Sequence, residues 1–301
     1  ANFIEPLVSG VFAGDYARLS AKSAFPRVVA LEREHGSLLG GLRALERKRR
    51  RAGRAHAARL TTLAGGMAAL PSALARELGD RVRTGVAVAA VEKRGAAFTL
   101  ATSAGPLDAE RVMLALPPDA AAALAAPLDA AIADAYTAIP QVSVAAVSLG
   151  WARGDVGHAL DGFGFLVPRR ERLRLLGCVF SSSAFPSLEQ APAGHVLVRC
   201  LMGGAQDPHA LELTDEELIA AAREALRPTL AVSAAPAFSH VARWPRGIAQ
   251  YEVGHAARVA AIEERGARIG LFSTGAALRG VGVNDVVREA AAAAERACGA
   301  A

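Results

Sequence analysis

A glycine-rich turn near the end of the chain has the residue pattern that points most directly to ligand chemistry. A buried strand is predicted at residues 269–273. The stretch that follows it, through Gly275 and residues 279–285 (RGVGVND), leads into an alanine-rich helix. The amides of a first helical turn lack partners within the helix and lie at the positive end of its dipole. We therefore predict that this turn faces an electron-rich group, although close packing alone also produces such turns.

Elsewhere the sequence offers no arrangement typical of acid–base, nucleophilic or metal chemistry. The cysteines Cys178, Cys200 and Cys298 form no CxxC pair, and the seven histidines lack a ligand spacing such as HxxxH. This argues against a disulfide framework and a structural zinc site. No Ser-His-Asp or Cys-His pair stands out, and His255 is expected to cap or pack rather than to transfer protons. We therefore assign no catalytic side chain and no metal.

The net charge of +5 is concentrated in one segment. Eight Lys or Arg and one acid, Glu46, fall between residues 43 and 59, which leaves the rest of the chain at −2. This basic cluster, which includes residues 47–51 and Arg54, suits an anionic membrane surface, and it is equally typical of a solvated helix end. A nucleic-acid partner is not predicted, because no aromatic residues interleave with the cluster.

The elements that must position these residues begin with helices. One helix is predicted to open at Pro26 and another at Ser37, with Gly36 between them as the expected stop. A short amphipathic helix follows Gly65-Gly66. A strand is then predicted through residues 82–91, a hairpin at residues 93–95 and a fully buried strand at residues 111–116. These segments favour an α/β fold.

The middle third instead reads as an antiparallel sheet of a second domain, so the chain is an α+β mix. Strands are predicted at residues 142–151, 164–167, 176–181, 196–202 and 238–244. A helix opens at Thr214, where Glu217 completes a capping box. The end of the chain returns to α/β, with a strand at residues 269–273, a turn at 280–284 and a helix at 286–298.

The ends of the chain and its apolar runs bear on location. Residues 3–8 read like the interior of a packed domain, so we expect further residues before Ala1. No apolar run reaches the roughly 18 residues needed to span a bilayer, and no signal-peptide pattern opens the chain. We predict a cytoplasmic protein, with peripheral contact at the cytoplasmic membrane face through the basic cluster.

Several separate motifs resemble the haem-pathway protoporphyrinogen oxidases, oxygen-dependent FAD enzymes of the monoamine-oxidase-like flavoprotein superfamily. The resemblance runs across nearly all 301 residues and includes FIEPLVSGVFAGD (3–15), LSAKSAFPRVVALEREHGSLLGG (19–41), LAGGMAALPSALARELGDRVRTGVAVAAVE (63–92), GFGFLVPR (162–169), SSSAFP (181–186), WPRGIAQYEVGHAARV (244–259) and RGVGVND (279–285). It implies an FAD/NAD(P)-binding-type domain, incomplete at its N-terminus, and a substrate domain on a mostly antiparallel sheet.

The resemblance also implies where a cofactor and a substrate lie. Val88 would bind the adenine end of FAD through its backbone, Gly275 and Gly282 to Asn284 would lie against the flavin ring, and Trp244 would lie close by. The tetrapyrrole pocket would be lined by Gly10, Phe163, Leu166, Phe185 and Leu201. Each of these residues is also compatible with ordinary core packing, and Trp244 with simply closing a domain junction.

The activity implied is the oxidation of protoporphyrinogen IX to protoporphyrin IX. Hydride leaves a methylene bridge of the substrate for the flavin, molecular oxygen reoxidises the flavin to give hydrogen peroxide, and repetition removes six electrons. The resemblance also allows a homodimer. It implies four segments: a helical, membrane-facing part (1–60), an FAD-domain segment (61–120), the substrate domain (121–240) and a second FAD-domain segment (241–301).

Three departures from the family pattern limit what this chain is expected to do alone. No GxGxxG run is present to hold the FAD pyrophosphate, so we expect weak FAD binding and an inactive fragment. Ala276 stands where the family usually has Asn, and Ser9 lies in a loop that varies. The alternatives are a coproporphyrinogen III oxidase of the same flavin type, a related desaturase or amine oxidase, and a catalytically silent module that binds a membrane or a porphyrin.

Overall fold

The computed structural model describes residues 4–51 and 61–299 and divides the chain into two compact units. The first unit joins Ala1–Arg18 to Pro140–Gln250, and the second joins Leu19–Ile139 to Tyr251–Ala301. Each unit is therefore built from separated pieces of the chain. The basic residues Arg54 and Arg59 lie outside the described ranges.

The helices and strands, in chain order within each type, are as follows. The helices are α1 (Ile4–Phe12), α2 (Ala21–Ala24), α3 (Pro26–His35), α4 (Leu38–Arg51), α5 (Ala69–Leu78), α6 (Pro118–Ala125), α7 (Ala130–Thr137), α8 (Ser181–Ala184), α9 (Asp215–Leu230), α10 (His255–Ile269) and α11 (Val283–Gly299). The strands are β1 (Val88–Arg94), β2 (Ala97–Thr102), β3 (Gly105–Ala109), β4 (Val112–Leu114), β5 (Gln141–Ala152), β6 (Gly164–Leu166), β7 (Gly177–Val179), β8 (His195–Gly203), β9 (Phe238–Ala249) and β10 (Leu271–Ser273).

The first unit is built on a five-stranded antiparallel sheet in the order β6-β7-β8-β5-β9. Alternate side chains of a strand point to opposite faces, so one face takes Val147 and Leu149 of β5 and Val198 of β8. These side chains pack with Leu218 and Leu226 of α9 in a closed apolar core. The helix thus covers one face of the sheet.

The second unit contains two small sheets and most of the helices. β1, β2 and β3 form an antiparallel meander, and β4 pairs in parallel with β10. α6 packs on α7, which packs on α10, the helix that leads directly into β10. At Gly266 an added Cβ would meet the Leu271 carbonyl oxygen at 2.3 Å, so the helix and the strand approach closely there.

Helix ends confirm several local predictions. Pro26 is the first residue of α3, and Gly36 ends it with φ of 71°. Ser37 precedes α4, and its Oγ accepts a hydrogen bond from the Gly40 amide at 3.0 Å. At α9 the Thr214 hydroxyl and the Glu217 carboxylate form the predicted capping box.

Other predicted bounds differ from the structure. β1 starts only at Val88, because the chain turns at Gly85, where φ is 73°. The strand predicted at residues 111–116 is three residues long, and its Met113 is 36% exposed rather than buried. Residues 269 and 270 end α10 rather than open β10, and α11 begins at Val283, so the last two residues of the predicted turn are helical.

The two units divide the chain after residues 18, 139 and 250, whereas the predicted segments divide it after 60, 120 and 240. Two non-local packings account for the difference. α6 and α7 pack toward α10 in the second unit, and β9 stays paired with β5 as far as Ala249. Among the described residues, no helix has the length and apolar character needed to cross a bilayer.

Candidate functional site

The second face of the first unit's sheet carries three of the predicted site residues, Leu166, Leu201 and Trp244. Leu166 of β6 pairs with Gly177, which pairs with Leu201 of β8, and Leu201 pairs with Ala146 of β5. Residues in register on neighbouring strands point to the same side. This face, opposite α9, is called the open face below; besides these residues, it carries Gly164, Val179, Arg199, Ser148, His240, Ala242, Gly203, Val144 and Trp244.

Gly10 of α1 lies directly on the open face. An added Cβ at Gly10 would meet the Leu166 Cδ2 atom at 2.4 Å, and one at Gly177 would meet the same atom at 2.9 Å. The Leu166 side chain therefore fits between two glycines. α1 is held in place by its ends, since Glu5 accepts the Arg169 amide at 2.9 Å and the Phe12 carbonyl accepts the Gln250 side chain at 2.8 Å.

Trp244 occupies the next row of the open face. It pairs with Val144, two residues along β5 from Ala146, and its side chain is 48% exposed. Gly247 allows the backbone to pass close to Trp244, since an added Cβ at Gly247 would meet the Trp244 Cβ at 2.6 Å. The indole is thus an accessible aromatic surface on the same face as Leu166 and Leu201.

The two phenylalanines predicted for the substrate pocket lie in the same unit, outside its strands. Phe163 precedes β6, its carbonyl accepts the Phe180 amide at 2.9 Å, and its side chain is 51% exposed. Phe185 follows α8 and is half-buried. α8 itself is tied to β8 because the Ser182 hydroxyl accepts the Leu197 amide at 2.7 Å.

The arginines of this unit have distinct surroundings. Arg170 pairs with Glu171 at 3.1 Å in the loop between β6 and β7. Arg169 lines a cavity of about 330 Å³ with Gly203 and Arg174, and Arg174 is paired with Asp207. Of Arg169, Arg170 and Arg199, only Arg199 belongs to the rows of the open face.

In the second unit, the glycine-rich turn presents the start of α11 to open space. Gly282, Val283 and Asn284 are exposed. The Gly282 carbonyl accepts the amides of Asp285 at 2.9 Å and Val286 at 3.0 Å, which leaves the Val283 and Asn284 amides as the donors of the first turn. The sequence predicted the glycine-rich turn and the helix after it, but the helix begins at Val283 rather than at residue 286.

The electrostatics of this turn favour a polar edge over a full anion. The Asp285 carboxylate lies in the first turn of α11, where it offsets the positive end of the dipole. It is itself paired with Arg288 at 2.5 Å and with Arg27 at 3.4 Å. The Asp285 carboxylate would repel a phosphate at this helix start, whereas it would not repel the carbonyl edge of a neutral ring in this way.

The loop between β10 and the turn has space for a ligand and a polar group without a partner. An added Cβ at Gly275 would meet no atom within 4 Å. Beside it the Thr274 Oγ1 atom is buried and makes no hydrogen bond within the described residues. A buried hydroxyl without a partner is costly, which fits a polar ring edge seated at this loop.

Two further contacts hold the segment between β10 and α11, and sequence reasoning did not find them. The Tyr251 hydroxyl donates to the Ala276 carbonyl at 2.5 Å, and the His255 Nε2 atom lies 2.9 Å from the Leu278 carbonyl. The two rings stack with their centroids 4.2 Å apart. The structure thus shows His255 packed against Tyr251, one of the two structural roles expected for it.

Arg279, at the start of the turn, is anchored by an ion pair. Its guanidinium donates to both carboxylate oxygens of Glu263 on α10, and Arg296 of α11 donates to the same carboxylate at 3.2 Å. Hydrogen bonding to Glu263 raises the pKa of Arg279. Glu263 thus links α10, the turn and α11. This role could not be predicted from the sequence, because the three residues come together only in the tertiary structure.

Val88 stands at an irregular position in the second unit. It is the first residue of β1 and pairs with Thr102, and the register shifts between Val88 and Ala90. A bulge of this kind interrupts the ladder and leaves backbone groups for other partners. Of the residues predicted to bind the cofactor, only Trp244 belongs to the first unit, and all residues predicted to bind the substrate belong to the first unit.

Comparison with known proteins gives a consistent relationship. The family described as flavin containing amine oxidoreductase matches residues 1–298. Coproporphyrinogen III oxidase of Bacillus subtilis (strain 168) is 31% identical over 300 residues, covering 97% of this chain and 63% of the relative. The chloroplastic protoporphyrinogen oxidase of Oryza sativa subsp. japonica is 31% identical over 314 residues, covering 96% of this chain and 58% of the relative.

Solved structures agree in fold. A crystal structure from Exiguobacterium sp. 255-15, of a protein provisionally named protoporphyrinogen oxidase, superposes with a TM-score of 0.77 at 27% identity, covering 95% of this chain and 61% of the other. Cyclohexylamine oxidase from Brevibacterium oxydans IH-35A has a TM-score of 0.62 at 16% identity and covers 98% of this chain. The chain spans about three fifths of the length of these relatives, 58–63% for the two enzymes above. It belongs to the flavin-containing amine oxidoreductase family.

Proposed function

We propose that this chain supplies the tetrapyrrole floor and part of the flavin contacts of an FAD-dependent enzyme that oxidises protoporphyrinogen IX to protoporphyrin IX with molecular oxygen. The observation that carries the proposal is the open face, which holds Gly10, Leu166 and Leu201 on one side of the sheet in a chain related to porphyrinogen oxidases along 96–97% of its length. Flat apolar surface with few polar groups suits a macrocycle bound by shape and stacking.

The small residues of the open face explain how a planar ligand would be accommodated. Gly177, Ala146 and Ala242 occupy the same row as Leu166 and Leu201, and Gly164, Ser148 and Gly203 occupy the rows on either side. In these rows, small residues alternate with the larger side chains of Leu166, Leu201 and Trp244, and together they would form the apolar floor for a planar ligand. In this proposal the chain orients the substrate, and no side chain acts as acid or base.

The cofactor would be held by the segment between β10 and α11 in the second unit. Gly275, the Thr274 hydroxyl and the Val283 and Asn284 amides would contact the ring, and Val88 would bind the adenine end. When bound, the flavin accepts hydride from the substrate and passes the electrons to oxygen. Amides fixed at a helix start favour the charge that develops on a reduced ring without having to reorient.

A peripheral membrane contact is part of the proposal for the second unit. On α4 the apolar side chains of Leu38, Leu39 and Leu42 are 41%, 67% and 49% exposed. The same helix ends in exposed basic residues that include Arg47 and Arg50. Exposed apolar side chains beside basic ones are typical of a helix that lies on an anionic surface. Placement at the cytoplasmic membrane face, in the cytoplasm, follows from this proposal.

Product binding tests the proposal on the chain itself. We expect purified protein to bind protoporphyrin IX, followed by porphyrin fluorescence, and the substitution Leu166→Glu to weaken binding at least tenfold, because it places a charge on the apolar floor. Leu107→Glu is the matched control, since Leu107 is 42% exposed on β3 and Leu166 is 43% exposed. Equal binding by both variants would contradict the proposal, as would the absence of binding by the unsubstituted chain.

The alternative substrate, coproporphyrinogen III, would use the same floor. The two enzymes named above are equally identical to this chain, at 31% each. Titrating the chain with coproporphyrin III and with protoporphyrin IX compares the binding of a ligand with four propionates to that of a ligand with two, on the same macrocycle. The tighter ligand identifies the preferred product.

A further inference from the structure

The open face has one charged row beside its apolar row. Arg199 of β8 lies two residues from Leu201, and Ser148 of β5 pairs on one side with Arg199 and on the other with His240 of β9. Two residues along a strand correspond to about 7 Å. The guanidinium of Arg199 is therefore within side-chain reach of any ligand that covers Leu201.

Among the residues that the structure describes, none neutralises the charge of Arg199. Arg199 is exposed and makes no ion pair or hydrogen bond with the residues that the structure describes. The rows of the open face that are defined by strand pairing contain no Asp or Glu, and His240 is the other residue there able to carry positive charge. By contrast, Arg170 and Arg174 are paired with Glu171 and Asp207.

An exposed cation beside an apolar surface can orient an anionic ligand that binds there. Porphyrins carry propionate groups at the rim of a flat apolar ring, so a ring on the Leu166 and Leu201 row would place its rim over the Arg199 row. The planar guanidinium matches a carboxylate with two parallel hydrogen bonds. Ser148, which lies between Arg199 and His240 in this row, is small, and its side chain is buried.

We propose that Arg199 is a specificity-determining residue that binds a propionate carboxylate of the tetrapyrrole. The inference rests on the proposed function, because it needs the ring to lie on the open face. It adds the orientation of the ring: one propionate edge toward the β8 and β9 row of Arg199 and His240, and the opposite edge toward the row of Trp244 and Val144.

The test compares a charged ligand with its uncharged ester. We expect the full chain to bind protoporphyrin IX about tenfold more tightly than its dimethyl ester, the effect of one charge-assisted hydrogen bond. Arg199→Gln should abolish this difference by weakening the acid and leaving the ester unchanged. Arg227→Gln is the control, because Arg227 is exposed on α9, which covers the other face of the sheet.

The outcomes separate this inference from the proposed function. If Arg199→Gln and Arg227→Gln weaken the acid equally, the charge acts at long range and the inference is overturned. If Arg199→Gln weakens acid and ester equally, the residue is structural and the inference is also overturned, with porphyrin binding intact. If the unsubstituted chain binds neither ligand, the proposed function itself fails.

Discussion

At the scale of single residues, the contact between Gly10 and Leu166 is the tightest feature of the proposed substrate floor. We expect Gly10→Val to lower the free energy of unfolding by about 1–3 kcal/mol, because it inserts atoms where Leu166 Cδ2 lies 2.4 Å from an added Cβ. Denaturant unfolding measures the change. Gly154→Val is the control, since an added Cβ at Gly154 meets nothing within 4 Å.

A second substitution makes this prediction specific. Leu166→Ala removes the atoms that clash with the new valine. The double variant Gly10→Val with Leu166→Ala should therefore lose less free energy of unfolding than the sum of the losses of the two single variants. Additive effects would show that the strain lies elsewhere.

The buried His255 gives a prediction for pH. Burial lowers the pKa of His255 below its usual value of 6.5, so folding favours the neutral ring. The stability that it contributes is therefore present above about pH 6.5 and is lost as the pH falls through the lowered pKa. We expect the free energy of unfolding to decrease between about pH 7 and pH 5, and His255→Gln to remove part of that decrease.

The contribution of His255 is isolated by comparing how steeply the free energy of unfolding changes with pH in His255→Gln and in the unsubstituted chain. Gln keeps an amide that can donate to the Leu278 carbonyl, so the variant should still fold. Identical slopes for the variant and the unsubstituted chain would show that His255 does not titrate with unfolding.

The sequence predicted some features of individual site residues and not others. The donors at Val283 and Asn284 could be predicted, because a helix start after glycines is a local signal. The placement of Arg199 beside Leu201 could not, because it depends on the register of β8 between β7 and β5. The Glu263 link to Arg279 and Arg296 likewise spans residues far apart in the chain.

At the scale of elements, α4 provides the test of membrane contact. We expect the chain to sediment with vesicles containing anionic lipid and to be released by added salt, because each basic residue near such a surface contributes about 1 kcal/mol that salt screens. The triple substitution of Arg47, Lys48 and Arg50 by Gln should abolish sedimentation.

A matched variant controls for total charge. Arg76, Arg81 and Arg83 are exposed in the same unit, so replacing them by Gln removes three charges elsewhere. Equal sedimentation with neutral and anionic vesicles, or equal loss in both triple variants, would rule out a specific role for α4.

Elements with local end signals were the ones predicted best. Pro26 and Gly36 bound α3, and Thr214 with Glu217 opens α9, as the sequence indicated. β1 was predicted too long because valine spacing alone did not reveal the turn at Gly85. β9 was predicted too short because its pairing with β5 continues past Pro245, which an edge strand tolerates.

At the scale of the whole molecule, the proposed function draws on two units, and each of them combines distant parts of the chain. The first unit contains the open face, and the second contains the segment proposed to contact the flavin. Composition predicted the α/β and antiparallel character of the two parts. The boundaries could not be predicted, because they are set by the packing of α6 and α7 toward α10 and by the length of β9.

The most direct test of the central claim is hydrogen exchange, measured by mass spectrometry, with and without protoporphyrin IX. Bound ligand on the open face should slow exchange in peptides from α1, β8 and β9 and leave those from α3 and α5 unchanged. Binding with no protection of β8 and β9, or with protection confined to α3 and α5, would contradict the claim that the open face is the tetrapyrrole site.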